Sequence, residues 1–255
     1  MKPFFSYFGS KWRAAPRYPA PACRRIVEPF AGSAGYATRY PSHDVVLVER
    51  DPTVAALWRW LIRVPAAEIL ALPDLRIGAS LVECQSVDNL DVRPEAKTLI
   101  GFWLNAASVQ PHKRYSAWAR TAVTGKPKTG GAMLSWGPRV RARLAEQVER
   151  IRHWTLIEGD YRQAPEGEAT WFIDPPYEIA GRIYRHGSKE IDYQALGDWC
   201  RSRVGQVIVC ENVGATWLPF RPWRCWDGIM AKRTGKKSDE ALWVSPLSKG
   251  QLELL

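Results

Sequence analysis

The sequence lacks most of the features that assign a chain quickly to a class of proteins. Its 255 residues include only five cysteines and four histidines, with no CxxC pair and no cluster of the two residue types. That scarcity argues against a metal site and a disulfide framework, and scattered thiols are typical of a reducing cytosol. No apolar run is long enough to span a bilayer, and residues 1–7 contain no signal-peptide core. We therefore expect a cytoplasmic protein with no metal and no membrane partner.

A GxGxxG fingerprint is also missing. The small-residue turn at residues 31–35, AGSAG, has glycines only at Gly32 and Gly35. Such glycines let backbone amides approach a ligand closely, and the start of a following helix favours negative charge. This spacing argues against a nicotinamide dehydrogenase. Taken alone, the turn is more often a plain strand–helix connection than a ligand site.

What the sequence does contain is the pattern of an α/β protein. Strands are predicted at residues 25–30 and 45–50, with a short helix at 36–40 between them and a helix at 52–62 after them. Because crossovers between parallel strands are right-handed, this βαβα opening predicts a parallel sheet. Further along are predicted strands at 154–157, 169–174 and 206–210, a helix at 193–204, and a terminal antiparallel hairpin from 223–230 and 241–244.

The net charge of +10 is concentrated in two segments. Residues 112–153 carry ten Lys and Arg against two acidic residues, and residues 1–50 carry eight against three. A requirement for solubility alone would spread the charge more evenly, so we predict a face that binds nucleic acid. The candidate phosphate contacts are Lys113, Arg114, Arg120, Lys126, Lys128, Arg139, Arg141 and Arg143.

The basic segment belongs to a stretch that interrupts the sheet pattern. A helix is predicted at residues 98–109, and residues 110–138 have the glycine and proline content of a loop or hairpin. Residues 139–153 predict an amphipathic helix with an apolar stripe of Val140, Leu144, Val148 and Ile151. We expect one catalytic domain from residues 1–62 and 154–255, and an inserted, mainly helical or hairpin, target-recognition region at residues 63–153.

The most informative motif is Asp174-Pro175-Pro176-Tyr177, which closes a buried apolar run. Neither proline has an N–H group for the sheet, so the chain must leave the sheet here. Open α/β sheets bind their ligands at the carboxyl ends of their strands. A carboxylate, a proline carbonyl and an aromatic ring suit a flat substrate that carries an amino group, such as a nucleobase. The alternative is a Pro-Pro loop with an Asp cap and a packing tyrosine.

Two further carboxylates are predicted at strand ends. Glu49 ends the second strand, where an acidic residue often accepts hydrogen bonds from ribose hydroxyls. Asp160 follows the third strand, where it can accept from an amino group or simply cap the next turn. Glu49 together with the glycine turn indicates a cofactor that contains adenosine and does not require phosphate.

Together these motifs resemble those of the Dam-type DNA adenine methyltransferases, which use S-adenosylmethionine. The resemblance is carried by Glu28-Pro29-Phe30-Ala31-Gly32-Ser33-Ala34-Gly35 and by residues 174–177. Three more segments are similar to the family's opening cofactor motif, its Gly-Asp-aromatic element and its closing strand: Tyr7-Phe8-Gly9-Ser10-Lys11-Trp12, Glu158-Gly159-Asp160-Tyr161 and Glu240-Ala241-Leu242-Trp243. The insertion has no match to the family's recognition loops, and Glu49 stands where many members have Asp.

The resemblance implies a Rossmann-like class I methyltransferase sheet of seven strands with a reversed last strand. It implies that Asp174 and the Pro175 carbonyl hold the N6 amine of an adenine extruded from double-stranded DNA, while Tyr177 stacks on the base. Lys11 and the glycine turn would face the methionine part of the cofactor, Glu49 the ribose and Asp160 an adenine amino group. The implied cofactor-binding residues are Tyr7, Gly9, Lys11, Glu28, Pro29, Phe30, Gly32, Ser33, Gly35, Glu49, Asp160 and Tyr161. We expect a monomer.

Three alternatives stay open at this point. One keeps the enzyme class and changes the substrate to RNA adenine, or to cytosine at its N4 amine. A second is a nucleic-acid-binding relative that has lost catalysis, although the intact Lys11, Asp174 and Tyr177 argue against it. The nicotinamide dehydrogenase is the third. Asp rather than Ser or Asn at position 174 favours adenine by analogy with the family.

Overall fold

The computed structural model of the protein describes residues 1–78, 80, 82–105, 108–117, 120, 135–179, 181–226 and 238–245. The chain divides into two compact units. The helical unit comprises Met1–Ala15, Gly32–Ser42 and Pro52–Leu156, and the sheet unit comprises Pro16–Ala31, His43–Asp51 and Ile157–Leu255. The boundaries of these units differ from the expected boundaries at residues 62 and 153. The expected division assigned functions to its two parts, a catalytic domain and a target-recognition region, and that assignment stays a prediction.

Seven strands form one mixed sheet. They are β1 (Arg25–Glu28), β2 (Asp44–Glu49), β3 (Thr155–Glu158), β4 (Ala169–Ile173), β5 (Gly205–Asn212), β6 (Arg221–Trp226) and β7 (Ser238–Val244). Their order across the sheet is β3-β2-β1-β4-β5-β7-β6. β1 is parallel to β2 and β4, β4 is parallel to β5, and β7 is antiparallel to both β5 and β6. This order, with β7 reversed, is that of the Rossmann-like class I methyltransferase sheet, so the predicted fold class is confirmed.

The centre of the sheet is its most apolar part. All five residues of β4 are buried, and so are six consecutive residues of β5. A strand that is covered on both faces has a continuous apolar sequence, which is why both strands could be recognised. Successive side chains point to opposite faces. The face of Trp171 packs into a core with Ile173, Val207, Val209, Leu196, Tyr193 and Trp217.

Both amino-terminal strands end slightly earlier than predicted. β1 stops at Glu28, because Pro29 has no N–H group to continue the ladder. The chain nevertheless stays beside β2, since the Ala31 amide donates to the Val48 carbonyl at 3.0 Å. The short helix predicted at residues 36–40 is a single 3-10 turn, Ala37–Arg39.

Five α-helices can be assigned within the described ranges: α1 (Pro52–Arg63), α2 (Ala66–Ala71), α3 (Pro94–Trp103), α4 (Pro138–Val148) and α5 (Tyr193–Arg201). The prediction for α3, residues 98–109, was wrong at both ends. The helix starts at Pro94, because a proline is well suited to the first helical turn. It ends after Trp103, because the Gly101 carbonyl accepts from the Leu104 and His112 amides.

The amphipathic helix predicted at residues 139–153 is α4 followed by a 3-10 turn, Glu149–Ile151. Its predicted apolar stripe is buried, as Val140, Leu144, Val148 and Ile151 are all at most 1% exposed. The predicted terminal hairpin is confirmed for the described part of its two arms, as β6 and β7, whereas residues 227–230 of the predicted first arm lie outside the described residues. Lys126 and Lys128 lie outside the described residues. No helix in the described ranges is long and apolar enough to cross a membrane.

Candidate active site

The motif loop, residues 174–177, follows β4 at the carboxyl edge of the sheet. The five buried residues before it fix the position of Asp174, which is half-buried, with its Oδ1 atom fully inside the protein. Pro175 is buried, and Pro176 and Tyr177 are half-buried. The strand end therefore presents a carboxylate, a proline carbonyl and a ring in sequence, as the motif predicts. Their catalytic roles stay a prediction.

A buried carboxylate holds the motif loop from one side. The Tyr177 hydroxyl donates to Glu240 Oε1 at 2.9 Å, and the Tyr18 hydroxyl donates to Glu240 Oε2 at 2.8 Å. Burial, and then the nearby Asp174 carboxylate, raise the pKa of Tyr177 well above its ordinary value. The hydroxyl therefore stays a donor at every working pH, and the ring is tethered at its far end.

Two other side chains hold the loop through its backbone. The Tyr193 hydroxyl donates to the carbonyl of Pro176, not to that of Pro175. Glu211 Oε2 accepts from the Glu178 amide at 3.1 Å, just after the loop. Burial raises the pKa of Glu211 to about 6, and the charge of Asp174 adds to this effect.

A glycine completes the support of the loop. The Gly181 amide donates to the Tyr177 carbonyl at 2.6 Å. A Cβ atom at Gly181 would lie 2.5 Å from the Pro176 carbonyl carbon. Any larger residue would therefore force the loop away from the strand end.

The predicted carboxylates of the neighbouring strands lie at the same edge. Glu28 ends β1 and is buried, and Glu49 ends β2 and is 9% exposed. Glu49 Oε1 accepts from the Asp51 amide at 2.8 Å, and its backbone carbonyl accepts from the Gly159 amide at 2.8 Å. The turns after β2 and β3 are thus tied together, and the Glu49 side chain is fixed close to the strand end.

Asp160 acts as a cap. Its Oδ1 atom accepts from the Arg162 amide at 3.1 Å, and the Gln163 side chain accepts from the Asp160 amide in return. Of the two readings that the sequence left open, the structure shows the capping one. A bond from Asp160 to an adenine amino group stays a prediction. The next residue, Tyr161, stacks on Phe30 with ring centroids 5.5 Å apart.

Of the other predicted cofactor residues, Pro29 belongs to the sheet unit, and the helical unit contains Tyr7, Gly9, Lys11, Gly32, Ser33 and Gly35. The Lys11 Nζ atom donates to the Gly9 carbonyl at 3.3 Å, and the Ser33 hydroxyl donates to the Ser10 hydroxyl at 2.8 Å. A Cβ atom at Gly35 would lie 2.8 Å from the Lys11 backbone nitrogen and 2.7 Å from that of Trp12.

Gly32 has a similar constraint. Its φ is +46°, and a Cβ atom there would meet the Tyr7 ring at 3.1 Å. The amino-terminal motif and the glycine turn therefore pack closely within this unit, and only glycines permit it.

The carboxyl edge of the sheet carries several hydrogen-bond acceptors. Glu28, Glu49 and Asp160 place acidic groups beside the ends of three neighbouring strands. Carboxylates repel a diphosphate, but they suit ribose hydroxyls and a cofactor that carries positive charge. Within the described ranges, no group of three or more His, Cys, Asp or Glu side chains is placed to hold a metal ion.

The predicted nucleic-acid-binding residues differ in how they are held. Lys113 pairs with Asp88 at 2.9 Å with both side chains exposed, and the Arg114 Nε atom donates to the Cys84 carbonyl. Arg141 is paired with Asp74, and Arg143 lies over the Trp103 ring, 5.0 Å from its centroid. Arg139 is exposed, and Arg120 has its amide bonded to the Ser116 carbonyl. Contact with nucleic acid stays a prediction for all of them.

Sequence reasoning missed three residues that support the loop. Tyr18, Tyr193 and Glu211 received no role, and Glu240 appeared only as part of a closing-strand motif. A glutamate at the end of a predicted buried strand, as Glu211 is, was a usable signal. The tyrosines gave none, because a lone tyrosine in a loop or at the start of a helix is ordinary.

Comparison with known proteins gives the fold little further support. No family model matches the chain, and no curated protein matches it. Among solved structures, the chain is similar to the rRNA methyltransferase aviRa from Streptomyces viridochromogenes, with 15% sequence identity and a TM-score of 0.38. The match covers 95% of this chain and 83% of that one. A likeness this distant carries no argument about substrate or activity, and the fold assignment rests on strand order and direction.

Proposed function

We propose that the protein transfers a methyl group from S-adenosylmethionine to the N6 amine of adenine in double-stranded DNA. The observation that carries the proposal is the motif loop itself. A half-buried Asp174 and two prolines leave β4 at the carboxyl edge of a methyltransferase-type sheet, beside the acidic ends of β1 and β2. Ligands of open α/β sheets bind at this edge.

The chemistry requires the loop to hold a poor nucleophile. An exocyclic amine delocalises its lone pair into the ring, so it must be drawn toward tetrahedral geometry before it can attack. The Asp174 carboxylate and the Pro175 carbonyl accept hydrogen bonds from the two N–H groups of the amine. These bonds direct the nitrogen lone pair toward the methyl group. The carboxylate also stabilises the positive charge that develops on the nitrogen. The N–C bond would form as the S–C bond breaks, the cofactor would leave as a neutral thioether, and the methylated nitrogen would then lose its surplus proton to solvent. Holding both reactants in line removes much of the entropic barrier of a bimolecular step.

The cofactor supplies an electrophilic methyl group on a sulfonium centre. Glu49 accepts from the ribose hydroxyls, and the acidic edge favours a positively charged ligand over a phosphate. The roles of Lys11 and the glycine turn toward the methionine part, and of Asp160 toward an adenine amine, follow from the family resemblance alone.

The substrate base must leave the duplex to reach such a strand end, which costs a few kcal/mol. Tyr177 offsets part of this cost by stacking on the base. Contacts from exposed basic residues such as Lys113 and Arg139 to phosphates offset another part, and they make binding depend on salt.

The proposal is tested with isotope-labelled S-adenosylmethionine on duplex DNA, single-stranded DNA and ribosomal RNA, followed by mass spectrometry of the digested nucleosides. The expected product is N6-methyladenine, formed on duplex DNA. N4-methylcytosine, or label in RNA alone, would keep the enzyme class and overturn the substrate. Cofactor binding without transfer to any polymer would favour a relative that has lost catalysis.

A further inference from the structure

The strongest feature outside the proposed chemistry is the cluster of Tyr18, Glu240 and Tyr177, here named the tyrosine–glutamate bridge. Glu240 is 5% exposed and lies on β7, opposite Asn212 of β5. Each of its two carboxylate oxygens accepts a tyrosine hydroxyl, at 2.8 and 2.9 Å. The bridge therefore connects a segment before β1 to the motif loop through the reversed strand.

Both tyrosines of the bridge are built to donate. Tyr18 is 4% exposed, and its ring packs on Phe172 of β4 at 5.3 Å. Burial, followed by nearby Cys210 and Glu240, raises the pKa of Tyr18, and burial also raises that of Tyr177. Neither hydroxyl ionises in the working range, so both stay hydrogen-bond donors.

A buried carboxylate is a costly way to fill space at this position. Removing a charged group from water is unfavourable unless its oxygens are satisfied, and an apolar residue would pack there without that requirement. The two phenol donors meet the requirement here. In exchange, the bridge fixes the position of one particular ring, because Tyr177 is held by its hydroxyl and, through the Gly181 amide, by its carbonyl.

We propose that Glu240, held in turn by Tyr18, is a positioning residue that fixes the position of the Tyr177 ring for stacking on the target base. This inference rests on the proposed function and adds two residues to its machinery. A ring that is already in place loses little conformational freedom when the base arrives, and its fixed position helps to orient the amine toward Asp174. The effect belongs to the base-binding and transfer steps, and not to cofactor binding.

The test uses full-length variants and single-turnover methyl transfer to duplex DNA. Tyr177→Phe removes only the tethering hydroxyl and keeps the ring, and we expect the transfer rate to fall about tenfold. Tyr18→Phe removes the hydrogen bond from Tyr18 to Glu240 and should lower the transfer rate about threefold. The affinity for S-adenosylmethionine, measured by calorimetry, should stay within about twofold in both.

If the bridge residues act together, the effects of their substitutions on the transfer rate should not be additive. Glu240→Ala should lower the rate as Tyr177→Phe does, and the double variant should be no slower than the slower single variant. Multiplied losses would overturn the proposal. If Glu240→Ala does not fold, the two Tyr→Phe variants carry the test alone.

Thr170→Val is the matched control. Thr170 lies on the same strand as Phe172, and its buried hydroxyl accepts from the Ala22 and Cys23 amides and donates to Gln206. This variant should lower thermal stability without lowering the transfer rate. An equal loss of rate in Thr170→Val would mean that the bridge acts only through stability, and would overturn the proposal.

Hydrogen exchange at the Gly181 amide separates this inference from the proposed function. Exchange should speed up in Tyr177→Phe and Glu240→Ala and stay unchanged in Thr170→Val. If the wild-type protein transfers no methyl group but exchange responds in this way, the proposed function fails while the hold on the loop stands. If the wild-type protein is active and Tyr177→Phe matches it in rate and exchange, the bridge is not a positioning device.

Discussion

The motif loop and helix α4 both have polar side chains nearby, but the carboxylates around the loop and Arg139 of α4 lie in opposite environments. Around the motif loop, Glu211 is fully buried and Glu240 is 5% exposed, and tyrosine, tryptophan and amide donors satisfy both carboxylates. Arg139 on α4 is exposed, and both side chains of the pair Lys113 and Asp88 are more than half exposed. Surface ion pairs contribute little to stability, whereas a buried charge must be satisfied if the protein is to fold. The first region therefore specifies a geometry, and the second supplies charge that can vary.

The largest effect is expected from a substitution in the motif loop. Asp174→Ala should abolish methyl transfer, because the variant removes both an acceptor for the amine and the charge that stabilises the developing cation. Cofactor affinity should stay within about tenfold, because the proposed partner of Asp174 is the target base. Calorimetry with S-adenosylmethionine and a transfer assay measure the two effects separately. Turnover at the wild-type rate would remove Asp174 from the mechanism.

The next prediction concerns the pH dependence of the buried side. Glu211 has a pKa of about 6, raised by burial, and its carboxylate accepts from three donors, on Asn212, Glu178 and Trp217. A proton on this group turns one acceptor into a donor, so one of these bonds is lost. We therefore expect the transfer rate to fall as the pH drops through about 6, because the segment after the motif loop loosens.

Stability should change in the opposite sense over the same range. Because the pKa of Glu211 is raised above 4.5, its ordinary value, the folded state binds this proton more tightly than the unfolded state. The resulting stabilisation is present below about pH 4.5 and is lost as the pH rises through about 6, with a size of about 2 kcal/mol. Glu211→Gln should flatten both profiles between pH 4.5 and 7, in denaturation and in single-turnover assays. A variant that keeps the wild-type pH profile would assign the titration to another group.

A smaller effect is expected at the backbone support. Tyr193→Phe removes the donor to the Pro176 carbonyl, which leaves that carbonyl without this partner while the ring still packs on Trp217. We expect a loss of about 1 kcal/mol in unfolding free energy and a reduction of severalfold in the transfer rate. Chemical denaturation and single-turnover kinetics measure the two. A loss of stability with an unchanged rate would show that the Pro176 carbonyl is not part of the alignment.

The difference between the two regions also explains what the sequence could predict. β4 and β5 were recognisable because burial on both faces requires continuous apolar runs, and the two prolines after Asp174 marked the exit from the sheet. The parallel opening of the sheet followed from right-handed crossovers, whereas the seven strands with a reversed last strand followed from the family resemblance. The support of the loop was not predictable, because the bond between Tyr18 and Glu240 joins residues 222 positions apart, and neither Tyr18 nor Tyr193 lies in a motif.

The end of helix α3 and the contacts of the arginines could not be predicted from the sequence for a related reason. The end of α3 is set by the His112 amide, which reaches the Gly101 carbonyl from a separate segment. Likewise, the sequence grouped Arg139, Arg141 and Arg143 as candidate phosphate contacts, and only their tertiary contacts separate them. The periodicity of a sequence predicts which side chains share one face of a helix. It does not predict which residues from distant parts of the chain contact that face.

The smallest expected effect concerns the exposed region, where substitutions of Arg143 and Arg139 should have different consequences. Arg143 lies over Trp103 and its Nη2 atom donates to the Pro3 carbonyl at 3.3 Å, while burial lowers its pKa. Arg143→Ala should therefore reduce thermal stability by a few degrees through lost packing, with little change in the salt dependence of DNA binding. Arg139→Ala should leave stability unchanged and reduce the slope of log affinity against log salt by about one, as expected for a single phosphate contact. Anisotropy titrations at several salt concentrations and thermal melts measure both variants, and the reverse pattern would show that the packed arginine binds DNA and the exposed one does not.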